Sequence, residues 1–207
     1  MGLEIELTLL CLVIALCFRP WRQLKGATLA SPLLGGLVVL SWTWALPRLH
    51  AMPLQLQISG ACAITLMLGW PLAVPTLCVV GLLADQWAPA PVEAVVSQVF
   101  WLGVLPSTLA LALGALLRRL AGTQPFTYIL GRAFAGTVLC DFASSVLGKL
   151  AGHAMPLVEP GLSLVAYWLI AWGDGFLTGL MAAIFVAFQP QWLATWSDRL
   201  YLHRPPT

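Results

Sequence analysis

The sequence predicts an all-helical membrane protein, a polytopic bundle of about seven crossings forming one domain over residues 1–207. Three observations predict it. Of the 207 residues 60% are hydrophobic and only 9% charged, where a soluble domain carries about 25% charged. Too few charges remain to coat a globule, so the apolar surface must face lipid. Apolar runs of helix-crossing length follow one another almost without gap, and each crossing takes roughly 20 residues. Stretches such as Leu33–Leu40 and Leu109–Leu117 do not alternate polar with apolar, which excludes the strand pattern of a membrane barrel.

The first run, Leu3–Phe18, has Glu4 and Glu6 at its start and Arg19, Arg22 and Lys25 after it. That is the reverse of a secretory signal's charge order, so an uncleaved helix is expected. The second run covers about Ala27–Leu46. The third starts near Leu56 and stops at Gly69-Trp70-Pro71, and the fourth continues from Pro71 to about Ala84. These two are short enough to form a broken or re-entrant pair, which a membrane allows where protein surrounds the break. The fifth is about Val92–Leu117 and the sixth about Phe126–Leu150. The seventh, about Leu162–Phe188, is expected to be interrupted at Gly173-Asp174-Gly175. A polar, aromatic tail follows from Gln189 to Thr207.

Lysines and arginines favour the cytoplasmic side. With the N-terminus outside, seven of them (Arg19, Arg22, Lys25, Arg118, Arg119, Arg199 and Arg204) fall inside and two (Arg48 and Lys149) outside. Arg132 lies within the sixth run. The tail is then cytoplasmic, and the lipid bilayer is the principal partner. Trp21, Trp42, Trp44, Trp70, Trp87, Trp192 and Trp196 lie near predicted boundaries, as an aromatic belt would. The formal charge of +2 is too small to suggest nucleic acid. The five cysteines, Cys11, Cys17, Cys62, Cys78 and Cys140, sit in apolar runs with no CxxC pair and read as small buried hydrophobes.

Asp141 and Asp174 lie inside apolar runs. A carboxylate at mid-membrane costs roughly 2.5–3.5 kcal/mol on insertion scales, so it is expected to face the bundle interior with a partner. They are candidate residues of a cation or proton path. The plainer reading of Asp141 is a packing hydrogen bond to Ser144 or Ser145, which share its face. Asp174 gains from flanking glycines, which permit an unwound turn with free backbone groups. The two acids make a paired-carboxylate site only if they converge. On the outer side the Met1 α-amino group, Glu4, Glu6, His50, Met52, Gln57 and His153 offer nitrogen, oxygen and sulfur donors. Such a set suits a borderline metal such as nickel or cobalt, or else His50 and His153 are plain loop residues. Gly175 with Gly179, and Gly131 with Ala135, have the spacing of close helix contacts. No phosphate-binding GxxxxGK[ST], GxSxG, HExxH or dinucleotide fingerprint is present, so no enzymatic activity and no bound cofactor are expected. Active transport would draw on an ion gradient or a separate ATPase.

Four stretches together carry a family resemblance. Gln57 through Pro71, reading QISGACAITLMLGWP, resembles the "HLLGA…LLGPW" stretch of the CbiM-type membrane substrate-binding components of cobalt/nickel energy-coupling-factor (ECF) transporters. Gly103-Val-Leu-Pro106 resembles their "MGVLP" segment, and Gly173 through Gly179 their "PEAxxTG" segment. Gln189-Pro-Gln-Trp192 through Asp198–Leu202 resembles the tail of short proteobacterial forms. In order, these cover most of the chain from about residue 50 to 202.

The resemblance implies a seven-helix bundle with an extracytoplasmic N-terminus in a bacterial inner membrane. It implies import of Co²⁺ or Ni²⁺ as substrate, with a transmembrane coupling subunit and a pair of ABC ATPases as partners. It implies metal held at the outer face by the N-terminal amine, a histidine after the initiator methionine and the histidine opening the "HLLGA" stretch. Here Gly2 follows Met1, Gln57 stands at the second histidine position, and Asp174 stands at the family glutamate. The expected metal set is therefore Met1, Glu4, Glu6, His50 and Gln57, with Asp174 and Asp141 on the path. The alternative is a protein of this fold that has lost metal transport and serves as a structural or assembly partner of another membrane complex.

Overall fold

A computed structural model describes residues 2–26, 28–49, 58–122, 124–153 and 161–201. Among them the chain forms seven helices and short single turns. They are α1 (Gly2–Cys17), α2 (Ala30–Leu49), α3 (Ala61–Leu68), α4 (Trp70–Trp87), α5 (Val92–Leu120), α6 (Thr127–Leu150) and α7 (Ser163–Phe188). Four of these, α2, α5, α6 and α7, are long and apolar enough to cross a membrane. Their outer faces stay apolar: on α7, Leu169, Phe176 and Leu180 are 64, 63 and 49% exposed. Apolar surface in continuous stripes of this kind belongs against lipid. The helices therefore mark a membrane protein.

The third and fourth runs resolve into two unequal helices. α3 has eight residues and rises about 12 Å, so it is a half-helix that cannot cross by itself. Seven of its eight residues are buried, and it touches α2, α4, α5, α6 and α7. Gly69 turns the corner into α4 at φ 75°, and Gly60 opens α3 at φ 62°. Both conformations suit glycine because a Cβ would clash with the backbone there.

One end of the bundle gathers Glu4, the C-terminal ends of α2, α4 and α6, and the start of α5. Arg48 there donates to Ala88 O at 3.2 Å and to Gln98 Oε1, and Gln98 Nε2 donates to Trp44 O at 3.2 Å. At the opposite end the tail folds back under α3. Ala194 N–H donates to Met67 O at 2.9 Å, and Thr195 Oγ1 donates to Leu66 O at 2.8 Å. Tyr128, Trp196 and Tyr201 pack ring against ring beside them. The tail was expected only as a polar, aromatic extension; its residues 190–201 close the base of the bundle.

Two further expectations are corrected. α7 runs unbroken through Gly173-Asp174-Gly175. The glycines serve close packing instead: a Cβ on Gly175 would lie 2.4 Å from Val138 Cγ2, and one on Gly179 would lie 2.9 Å from Phe134 Cβ. Trp44, Trp70 and Trp196 are core residues, 0, 8 and 7% exposed, whereas Trp21, Trp42 and Trp87 are exposed and fit an aromatic belt. The interior reason for Trp44 is a hydrogen bond from its Nε1 to Ser59 O at 3.0 Å.

Candidate functional site

The site is built where α3 begins. A helix of any length leaves its first N–H groups without intrahelical partners, and inside a membrane no water takes them. Here the partner is Asp174, from the middle of α7. Its Oδ2 accepts the Ser59 and Gly60 N–H groups at 3.0 and 2.9 Å. Ser59 Oγ accepts the Ala61 N–H at 3.1 Å. Thr178, one turn after Asp174, adds a side-chain hydrogen bond. The carboxylate therefore caps α3 from another helix and faces its positive end.

Asp141 of α6 lies beside this cap, 7% exposed, and its carboxyl group is within hydrogen-bond reach of that of Asp174. The two buried aspartates thus converge. The Cys62 thiol lies 3.8 Å from Asp141 Oδ1 and 3.8 Å from Pro106 O, and it also meets the Cys140 thiol. Asp141 Oδ2 is buried with no hydrogen-bond partner. Ser144 does not bond Asp141, as the packing reading expected; its Oγ donates to Trp101 O at 2.5 Å.

The carbonyl that Ser144 finds is free for a reason visible in the chain. α5 widens to π-type turns over Val99–Val104, and Leu105 N–H reaches back to Phe100 O. Pro106 has no N–H to offer the preceding turn. Trp101 O and Leu102 O are left without helical donors. Ser144 takes the first, and Ser59 Oγ takes the second at 2.7 Å. Ser59, Trp101, Ser144, Ser145, Asp141 and Asp174 share the wall of a cavity of about 20 Å³. A water needs roughly 10–15 Å³ measured this way, so the cavity holds one water-sized particle.

Trp101 connects this cavity to the Glu4 end of the bundle. Its ring borders the cavity, its Nε1 donates to Glu4 Oε1 at 2.6 Å, and its ring centroid is 5.7 Å from that of His153. Glu4 is buried, and its Oε1 is 3.1 Å from His153 Nε2. Glu6, two residues along α1, is exposed and points away from Glu4, as a helix dictates. Of the expected metal set, Glu4 and Glu6 therefore do not converge, and Met1, His50 and Gln57 lie outside the described residues. Among the described residues no three His, Cys, Asp or Glu side chains are grouped so as to hold a metal ion.

Sequence reasoning missed three parts of this site. These are the capping role of Asp174, the place of Trp101, and the two thiols beside Asp141. Only the Pro106 position carried a local signal, the loss of a helical donor. Comparison with family models, with curated proteins and with solved structures finds no match to this chain.

Proposed function

We propose that the chain is the membrane permease or substrate-binding subunit of an energy-coupling-factor importer for a divalent transition-metal cation, cobalt or nickel. One observation carries this reading. Three of the four stretches that resemble the CbiM-type components are far apart in sequence and meet at one place. Ser59 and Gly60 from the first are bound by Asp174 from the third. Pro106 from the second sits against Cys62 and the cavity. In this reading the chain crosses a bacterial inner membrane seven times, with α1 and α4 among the crossings. The N-terminus lies outside. Substrate approaches at the Glu4 end, where a carboxylate and an imidazole are already paired. A coupling transmembrane subunit and two ABC ATPases supply the energy, since this chain has no phosphate-binding loop.

The converging aspartates do not make it an intramembrane hydrolase in this reading. A cavity with room for one water admits no peptide, and Asp174 is tied to two backbone N–H groups. A second reading, a structural or assembly partner that has lost metal transport, is favoured by the commitments of Glu4 to Trp101 and His153. Calorimetry of Ni²⁺ and Co²⁺ binding separates them. The importer reading expects saturable binding by the wild type, weakened in Glu4→Gln, His153→Ala and His50→Ala. Absence of binding by the wild type overturns it and leaves the second.

A further inference from the structure

We propose that Asp141 and Asp174 form an exchange site that holds one proton or, in its place, one small hard monovalent cation of the sodium class. The proposal stands on the pair itself and does not depend on which substrate the chain carries.

Two carboxyl groups within hydrogen-bond reach of one another need a positive species between them. None of the side chains around the cavity is cationic. The α3 N-terminus contributes about half a charge, and it is spent on Asp174 through Ser59 and Gly60. Asp141 Oδ2 is buried without a hydrogen-bond partner, and the neutral Ser59 hydroxyl and Cys62 thiol beside the carboxyl group bring no charge. The missing charge is therefore supplied from outside the chain.

The hydroxyls around the cavity select a cation over other ligands. Ser59 Oγ and Ser144 Oγ each give their proton to a carbonyl of α5. What they have left to offer is lone pairs. With the Ser145 hydroxyl on the same wall, the site presents carboxylate and hydroxyl oxygens, which is the donor set of a hard cation. Exchange for one proton sets the charge at one, and size sets the species. About 20 Å³ takes one particle without its hydration shell. Mg²⁺ keeps several waters, and nickel or cobalt prefers nitrogen and sulfur ligands. Sodium or lithium meets both conditions.

The exchange balances without any redox step. The proton shared by Asp141 and Asp174 leaves to solvent, one Na⁺ takes its place between two carboxylates, and the net charge of the site is unchanged. Other titratable groups face the pair from α3 (Cys62) and from α6 (Cys140). Beyond Trp101 lie Glu4 of α1 and His153 after α6. The Glu4–His153 pair is separated from the site by the indole.

The test uses the full chain in lipid nanodiscs. Radioactive Na⁺ binding is measured by scintillation proximity, and proton release on NaCl addition with a pH indicator in weak buffer. The expected result is one Na⁺ per chain, one proton released per Na⁺, and an apparent affinity falling about tenfold per pH unit where the proton competes. Asp141→Asn is the decisive variant, because it leaves the α3 cap in place. It should lose both signals while keeping the wild-type melting temperature without Na⁺, and Asp141→Glu should regain Na⁺ binding. No Na⁺ binding by the wild type overturns the proposal. So does binding that survives unchanged in Asp141→Asn, or Na⁺ binding with no proton released. Failure of Ni²⁺ and Co²⁺ binding leaves this result standing, so the two readings fail separately.

Discussion

Replacing Asp174 by alanine should be the most damaging single polar substitution in the bundle, and the reason is countable. Its Oδ2 is the acceptor for two buried backbone N–H groups, those of Ser59 and Gly60. Leaving a buried donor unpaired costs about 1–3 kcal/mol, so two cost about 2–6 kcal/mol by the same measure. The membrane interior supplies no water to soften this. For a chain of this size about 1 kcal/mol moves the melting temperature by roughly 2–4 °C. Asp174→Ala should therefore melt roughly 4–24 °C below the wild type. Asp174→Asn keeps an amide oxygen for both donors and gives up only the charge assistance, about 1 kcal/mol. A fluorescence thermal-shift assay in one detergent, with both variants and the wild type side by side, measures the order. Asp174→Ala melting within about 2 °C of the wild type, or Asp174→Asn falling as far as alanine, would refute the capping role.

The glycines of α7 give a matched pair of expectations. Gly175→Ala puts a methyl 2.4 Å from Val138 Cγ2 and 3.1 Å from Phe134 O, so α6 and α7 must separate at about 1–3 kcal/mol. Gly173→Ala meets nothing within 4 Å and should be neutral or stabilising by up to about 1 kcal/mol through helix propensity; equal melting of the two variants would contradict the packing. Orientation is tested at Cys17, exposed at the end of α1. A variant keeping only that thiol should react with a membrane-impermeant maleimide in inverted vesicles and not in intact spheroplasts, and the reverse would invert the proposed topology.

How much of this was legible follows from what each residue's neighbours are. The membrane class, six of the helical runs and the burial of Asp141 and Asp174 follow from local hydropathy and from the cost of charge in lipid. The Gly69-Trp70-Pro71 break was legible because glycine and proline act on their own backbone. The length of α3 was not, because its start is fixed by Asp174, over a hundred residues later. The unbroken course of α7 was not legible either. Glycine serves equally for an unwound turn and for a close contact, and only Val138 and Phe134 on the facing helix decide between them. Trp44 was misplaced for a similar reason. An indole at a helix end suits a membrane interface, but its N–H suits the carbonyl of Ser59 as well. Of the outer donors, Glu4 and Glu6 were grouped by sequence proximity, which a helix separates by two residues of rotation.

Asp141 is the residue that architecture leaves unexplained. The half-helix needs an acceptor at its N-terminus and donors at its C-terminus. Asp174 supplies the first, and Ala194 and Thr195 supply the second. Beside those contacts the second carboxyl adds a buried oxygen without a hydrogen-bond partner. A side chain there for stability alone would be apolar, since replacing buried ionic groups by packed hydrophobes is often neutral or stabilising by about 1–4 kcal/mol. Asp141→Leu should accordingly melt at or above the wild-type temperature, and it should lose the rise in melting temperature that Na⁺ gives the wild type. The thermal-shift assay with and without Na⁺ reads both at once. If Asp141→Leu instead falls as far as Asp174→Ala, Asp141 belongs to the scaffold, and its unpaired oxygen is a cost of packing α6 against the cap. If it holds its stability and loses the Na⁺ response, the carboxyl group is kept for the ion it exchanges.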